Sequence, residues 1–520
     1  MTLASVSHDV DVAIIGLGPT GAIAANLLGQ AGLSVYVFDR SHDIYDKPRA
    51  IALDHEILRV FQQLGIESDI QDFVEPFTDS VYIGVDGQVI KRLSTLPPPY
   101  PLAHLPSAVF NQPRLEEVLR KHARAYPNVR LETGVECLGL EQDADGATLA
   151  LRDESGEHRN CRARYVIACD GASSATRDQL GLTLDDLGFD EPWLVVDVLI
   201  NEKGAAKLPT ESRQYCHPER PATYLICPGA HRRWEIAINP GEDPQALATP
   251  EGTWRLLAPW ITPDEGELWR QASYRFHALV AASWRKDRVF IAGDAAHQQP
   301  PFLGQGMCQG VRDVMNLCWK LEAVLRGGAP DSLLDSYGEE RRGHVRALTS
   351  RIKEIGLLIS ERDPQRARER DARLLREAGG VVRPQARQDV QPRLETGLLG
   401  RSGHAVIGRL CPQPVITAQG QTRRLDDYLG RGWQCLLRAN AFPDPNEVSA
   451  PPQLLGLPCH TARFGPQHLQ EQENVLGSWM HEHGLAAVLV RPDHVVVDAI
   501  ESAEDFNLLF ASFDSCNTVA

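Results

Sequence analysis

No C-x-x-C pair, no long apolar run and no excess of basic residues occur in this 520-residue chain, and each absence excludes a class of protein. The eleven cysteines stand singly, at 137, 161, 169, 216, 227, 308, 318, 411, 435, 459 and 516. An odd, dispersed set reads as reduced thiols, neither a disulfide framework nor a zinc site, so no metal is expected. The N-terminus has no basic stretch leading into an apolar one, and no run reaches the ~18 apolar residues of a membrane span. A cytoplasmic location away from membranes is the expectation. Lys and Arg total 53 against 69 Asp and Glu, a formal net charge of -16. No surplus of cations is therefore available to neutralise nucleic-acid phosphates. Internal repeats are also missing. What remains is globular in composition, 43% hydrophobic and 23% charged, and long enough at roughly 100–200 residues per domain for two to four domains.

The first apolar run, Val10 to Ile15, is short and β-branched, as a buried parallel strand should be. Gly16, Leu17, Gly18, Pro19, Thr20 and Gly21 follow, then an Ala- and Leu-rich helical stretch to Ala31, then a strand Ser34 to Phe38 ending at Asp39. This is the form of a dinucleotide-binding βαβ unit. Glycine permits the tight turn and lets backbone approach a pyrophosphate, the next helix aims free N–H groups at its charge, and an acid accepts ribose hydroxyls.

Farther along, Asp72 to Pro106 is loop-rich and strand-like, Arg114 to Tyr126 is helical, and Arg164 to Cys169 reads as a buried strand. Between Gly181 and Phe276 the spacing suggests antiparallel strands, such as Trp193 to Ile200 and Trp234 to Ile238, inserted into the first domain. Glu361 to Glu377 reads as a solvated, salt-bridged helix and Gly379 to Arg393 as a linker. Beyond it, Trp433 to Leu437, Ala486 to Val490 and Val495 to Val497 read as strands and Ala503 to Phe513 as a final helix. The expected fold class is α/β. It comprises a Rossmann-like domain (1–75, 107–180, 277–390), an interleaved antiparallel substrate sheet (76–106, 181–276) and a C-terminal α/β domain (391–520).

Two later segments, ACDGASSATR around Asp170 and FIAGDAAHQQPPFLGQGMCQGVRDVMNLCWKL around Asp294, each follow a strand, where open α/β sheets bind ligands. With the glycine turn, their order and spacing resemble the group A FAD-dependent aromatic hydroxylases of the p-hydroxybenzoate hydroxylase fold. LDDYLGRGW and LVRPDHVVVD resemble the thioredoxin-like tail of the phenol hydroxylase branch, with the nearest look to 3-(3-hydroxyphenyl)propionate hydroxylases. Without a C-x-x-C that tail has no dithiol chemistry, and its expected part is packing or formation of a homodimer.

The resemblance implies FAD, held by Gly16, Gly18, Pro19, Thr20 and Gly21 at its pyrophosphate and by Asp39 and Arg40 at its ribose end. It places Arg49, Gln112, Gly293 and Asp294 along the phosphate and ribitol, associates the segment of Asp170 and Arg177 with both FAD and nicotinamide binding, and sets the turn from Pro301 through Gly304 and Gly306 beside the flavin ring. Backbone N–H groups of Met307 and Cys308 would face the ring's O2 edge. It further implies NADH or NADPH as transient reductant, and O2 and a small phenolic substrate hydroxylated through a flavin C4a-hydroperoxide. A phenol has a pKa near 10, so its proton must be handled at neutral pH. The candidates are Tyr215, Tyr224, Tyr274 and His277, with Arg275 a candidate for a substrate carboxylate and His297 most simply a structural histidine. No strong base identifies itself. The expected activity is ortho-hydroxylation of a 3-hydroxyphenyl acid or related phenol. The alternatives are tailoring of a polycyclic aromatic or a non-catalytic flavin-binding role. A flavin-dependent halogenase is disfavoured because no Trp-x-Trp occurs.

Overall fold

Val10–Ile15 is the centre of the first sheet in the computed structural model, which describes residues 8–442, 448 and 450–513. The strand pairs in parallel with Val35–Asp39 on one side and His158–Ala168 on the other. Its side chains divide by the two-residue period of a strand. Val12 and Ile14 pack under the helices Pro19–Gln30, Gln112–Ala125 and Gly306–Leu325, while Ala13 and Ile15 pack against the hairpin Val135–Gln142 and Ala147–Asp153. Burial on both faces is why the run shows no polar alternation. Val129–Thr133 and Val289–Ile291 extend the sheet, so the glycine turn, the Asp170 segment and the Asp294 segment leave its carboxyl end together.

A nine-stranded sheet stands over that end. Its middle runs Gly266–Ala281, Leu184–Ile200, His231–Ala237, Ala222–Ile226, Ser212–Tyr215, and Ser80–Ile83 and Val89–Ser94 continue it. The expected boundary after Phe276 falls inside the unbroken strand Gly266–Ala281. The 379–393 stretch is likewise more than a linker: Gln385–Ala386 pairs with Val89–Ser94 as an edge strand. The arginine-rich helix forms as Pro364–Glu377 but is not wholly solvated. Arg370 donates to the Cys216 carbonyl at 2.8 Å and Asp371 accepts the Val85 N–H at 2.7 Å, both side chains buried. Charge runs conceal such contacts because the partners lie on distant strands.

The C-terminal domain has the order Leu457–Phe464, Trp433–Arg438, Ala487–Val490, Val496–Ile500, the first pair parallel and the rest antiparallel. This is a thioredoxin-like arrangement, with helix Val475–Glu482 packed on one face and the 3-10 helix Ala503–Phe510 on the other. The ten cysteines among the described residues are free, while Cys516 lies outside them. Among the described residues no helix is long and apolar enough to cross a membrane, and no cluster suited to a metal ion occurs.

Candidate active site

The Gly16–Gly21 turn is shaped by what cannot be there. Gly16 has a φ of +98°, and a Cβ on it would fall on the Cys169 carbonyl; one on Gly21 would fall on the Gly16 carbonyl. At Gly18 a Cβ meets nothing within 4 Å, because this residue borders a cavity. The helix behind it starts with Pro19 at its first turn and has no side-chain cap, so its leading N–H groups are left for an anion. Asp39 accepts the Leu17 N–H at 2.8 Å and the Ser41 N–H at 2.8 Å, holding the turn against the second strand. Arg40 is exposed and lies outside the cavity lining.

The cavity, about 400 Å³, lies between this turn and the nine-stranded sheet. Thr20, Arg49, Gln112, Asp294, Pro301, Gly304, Gly306 and Met307 line it, so the structure gathers most of the expected cofactor residues in one place. Burial pushes the Asp294 carboxyl upward. Gln112 is itself buried and works through backbone: its Oε1 accepts the N–H of Arg49 at 3.0 Å and of Ala50 at 2.5 Å, while its Nε2 donates to Glu116. Helix Gly306–Leu325 begins without a side-chain cap, and its first residues Gly306 and Met307 line the cavity, while Cys308 lies behind them outside the lining. Cys308 is buried, its Sγ 3.7 Å from the Ala52 carbonyl and its thiol pushed up by burial, so it packs rather than reacts. The unfilled space at Gly18 and the uncapped helix starts fit a dinucleotide with an anionic middle.

Asp170 stands apart from the other expected cofactor residues. It is absent from the lining and instead accepts the Ser174 hydroxyl at 2.5 Å and the Thr176 N–H at 3.1 Å. Arg177 bonds the carbonyls of Ala172 and Ala295, tying the two segments together. His297 faces the cavity edge but is bonded to Asp313 at 2.7 Å and stacked on Trp284.

Strand alternation sorts the proton-handling candidates. Tyr215 and Tyr224 point to the far face: Tyr224 packs on Trp234 and donates to the Pro209 carbonyl at 3.2 Å, and Tyr215 packs on Trp260. Their sequence neighbours Gln214 and Thr223 line the cavity instead. Tyr274 and His277 do line it, at its rim. The Tyr274 hydroxyl is bonded by Arg270, and His277 lies 3.3 Å from Asp190. Asp190 also holds Arg275, at 2.7 Å, which leaves Arg275 more than half exposed and already paired.

Sequence reasoning missed the floor: Gln214, Thr223, Arg233 and Glu235, with Arg387 reaching in from the edge. In the strand HRRWEIA, Trp234 and Ile236 alternate with Arg233 and Glu235, a pattern that looks like one wet face. That face is dry here. Asp197, fully buried, receives Arg233 at 2.7 Å, His231 at 2.7 Å and Arg270 at 3.5 Å, and its carboxyl lies well below the usual range because these cations outweigh burial. The same arginines hold the Pro48 carbonyl at 2.6 Å each, and Arg233 also holds that of Arg49, fastening the Arg49 loop to the sheet.

Gln112→Ala is accordingly expected to weaken FAD retention about tenfold without abolishing folding, the two loop amides losing one shared acceptor. Flavin release during dialysis, followed at 450 nm, measures this. Unchanged retention would show that Gln112 does not position the loop.

Residues 9–352 match the FAD binding domain family and residues 408–515 the HcaD C-terminal domain family. A probable NADH-specific resorcinol 4-hydroxylase of Rhodococcus jostii (strain RHA1) is 34% identical over 95% of this chain and 93% of its own. A 3-(3-hydroxy-phenyl)propionate/3-hydroxycinnamic acid hydroxylase 2 of Burkholderia vietnamiensis (strain G4 / LMG 22486) is 33% identical over 93% of this chain and 92% of its own. Among solved structures, the flavin-dependent monooxygenase PieE with FAD and substrate covers 98% of the chain and 100% of its own at TM-score 0.80 and 22% identity. Aklavinone-11 hydroxylase with FAD and aklavinone has a TM-score of 0.79 at 23% identity, covering 98% and 100%. These two share the fold.

Proposed function

The chain belongs to the family of FAD-dependent aromatic hydroxylases, and from that premise we propose that it hydroxylates a one-ring phenol ortho to its hydroxyl, with NADH or NADPH as reductant. In balance, phenol, O2, NAD(P)H and a proton become a catechol-type product, water and NAD(P)+. Bound FAD supplies the two-electron chemistry that activates O2. The chain's own residues bind, orient and keep the site dry. The Gly16–Gly21 turn and the adjacent helix start receive the pyrophosphate, Asp39 the ribose, and Arg49 and Asp294 the ribitol side. The uncapped start of helix Gly306–Leu325, with Met307 in the cavity lining and Cys308 next to it, would offer backbone N–H groups to negative charge on the reduced flavin, and Pro301 and Gly304 line the same part of the cavity.

The observation that carries the substrate reading is the lining beyond the cofactor residues: a polar floor at Gln214, Thr223 and Glu235 and an aromatic wall at Phe276 and Phe302. A polar floor under an aromatic wall suits a phenolic ring beside the cofactor. A 3-hydroxyphenyl acid or resorcinol, the substrates named for the two relatives, fits this description. Phe302 packs edge to face on both Phe276 and Trp193, and Phe276 stacks on Trp193, a layer that excludes water from the reacting ring.

The test is NADH and NADPH oxidation by the purified, flavin-bound protein with resorcinol, 3-(3-hydroxyphenyl)propionate and a polycyclic phenol, with product identified by mass. Stimulated oxidation coupled to a singly oxygenated one-ring product is expected. Coupled turnover of the polycyclic phenol alone would overturn the small-substrate reading, and bound flavin without product from any phenol would overturn the activity.

A further inference from the structure

The cavity floor holds one carboxyl group with nothing assigned to it. Glu235 is 3% exposed, lines the cavity, and its Oε2 has no hydrogen-bond partner among the described residues. A buried acceptor left unpaired costs on the order of 1–3 kcal/mol, so such an atom calls for a function or a ligand.

Among the described residues none of its neighbours is bonded to it, although Arg270 also carries an unpartnered Nε. Across the sheet Glu235 sits opposite Thr223 on one side and Val195 on the other. The Thr223 hydroxyl is already given to Gln214 Oε1 at 2.6 Å. Arg233, next on the same face, is engaged with Asp197 and the loop carbonyls, and Arg270 with Asp197, Pro48 and Tyr274. What remains to meet this carboxyl, which borders the cavity without any hydrogen bond of its own among the described residues, is a donor brought in by whatever occupies that space, and a phenol's O–H is such a donor.

We propose that Glu235 is a catalytic residue that receives the phenolic proton of the substrate. This rests on the phenol hydroxylase reading above. The step is ArOH + Glu235 carboxylate → ArO⁻ + Glu235 carboxylic acid: the O–H bond breaks, its electron pair stays on the ring oxygen and activates the ortho carbon, and the proton returns to solvent after product leaves. The same charge disfavours a substrate carboxylate beside it, so a hydroxyphenyl acid enters with its hydroxyl, not its acid, toward the floor. Burial pushes the Glu235 carboxyl up to about 7, against the lowering pull of Arg233 and Arg270 and with Asp197 raising it. Arg49, Arg387, Asp294 and Arg275, with the titratable His277 and His297, face it from the other walls. A base poised there is half-ionised at neutral pH, where general-base catalysis is most effective.

The experiment compares Glu235→Gln and Glu235→Asp with the wild type over pH 5.5–9, each with FAD bound, using the best phenol from the panel. In the wild type kcat rises with pH through a half-maximum near 7 and levels off about one unit above it. Glu235→Gln is expected to lower kcat by about 10²–10⁴, to erase that limb, and to keep bound flavin. Glu235→Asp is expected to restore part of kcat with a displaced limb. Wild-type kcat and pH profile in Glu235→Gln overturn the proposal, and so does a change in KM alone. If Glu235→Gln fails to hold flavin, the Asp variant decides: an unmoved limb overturns it. A wild type that hydroxylates no phenol defeats the functional reading instead, so the two failures are distinguishable.

Discussion

Gly21→Ala protein is expected to purify with little bound flavin, its FAD affinity reduced by roughly 5- to 10²-fold. The new methyl group would coincide with the carbonyl oxygen of Gly16, which is backbone and has little room to move. The Gly16 N–H is bonded to the Phe38 carbonyl at 2.8 Å, and its φ of +98° already suits only glycine. The turn must therefore open, at a strain cost of about 1–3 kcal/mol that is taken from cofactor binding at 1.4 kcal/mol per tenfold. Gly18→Ala separates space from strain. Its methyl meets nothing within 4 Å, so the chain folds normally and loses flavin only because the methyl fills the place of the pyrophosphate. The ratio of absorbance at 450 and 280 nm and the melting temperature without FAD distinguish the two. Wild-type flavin content in both variants would remove the turn from the cofactor site.

The second large effect concerns the C-terminal domain. Glu340, in the long helix Asp335–Ile359 of the FAD-binding domain, receives Arg491 of the C-terminal domain at 2.8 Å and Lys320 at 2.9 Å, all three fully buried or nearly so. Arg491 also pairs with Asp493 at 2.5 Å. Replacing Glu340 with Gln leaves two buried cations short of an anion, and breaking a buried pair in this way costs about 3–5 kcal/mol. Denaturant titration should show that loss, with earlier proteolytic release of residues beyond the 391–410 connection. A midpoint unchanged from wild type would mean that water satisfies the cluster.

The same cluster gives a pH dependence of definite sign. Burial would raise the Glu340 carboxyl, but Arg491 and Lys320 hold it down to about 2. Its stabilisation is therefore complete above the unfolded carboxylate value, about 4.3, and is lost as pH falls through the folded value. Lys320 runs the other way: burial pushes it down to about 8 despite Glu340. The unfolded chain keeps that proton to about 10.4, so its penalty to stability shrinks as pH rises between the two values.

How much of this was legible in the residues differs by element. The strand at Val10–Ile15, the glycine turn, the helix after it and Asp39 all follow from local spacing, and each occupies its expected place. The clustering of Arg49, Asp294 and the Pro301–Met307 turn was reachable through the motif order. The floor of the cavity was not. Whether Tyr224 or Thr223 faces the flavin side depends on register, and a one-residue difference exchanges the two faces of a strand. The chain shows aromatic and polar residues in alternation there, and nothing local says which face is buried against the other domain. Asp170 illustrates a different limit: a motif places the residue at the strand end, while the choice between ligand and helix cap rests on Ser174 and Thr176 turning toward it.

From the sequence alone came the dinucleotide fold and a C-terminal domain without a C-x-x-C, because these depend on short-range patterns and on residues that are simply absent, while the flavin came through the resemblance that the order of three segments carries. Only the tertiary structure decided which groups meet the substrate. A strand carries its side chains to two opposite faces, and it is packing of the nine-stranded sheet over the first that makes one of them a dry floor, turning Glu235 from one acid among 69 into a buried carboxyl without a partner.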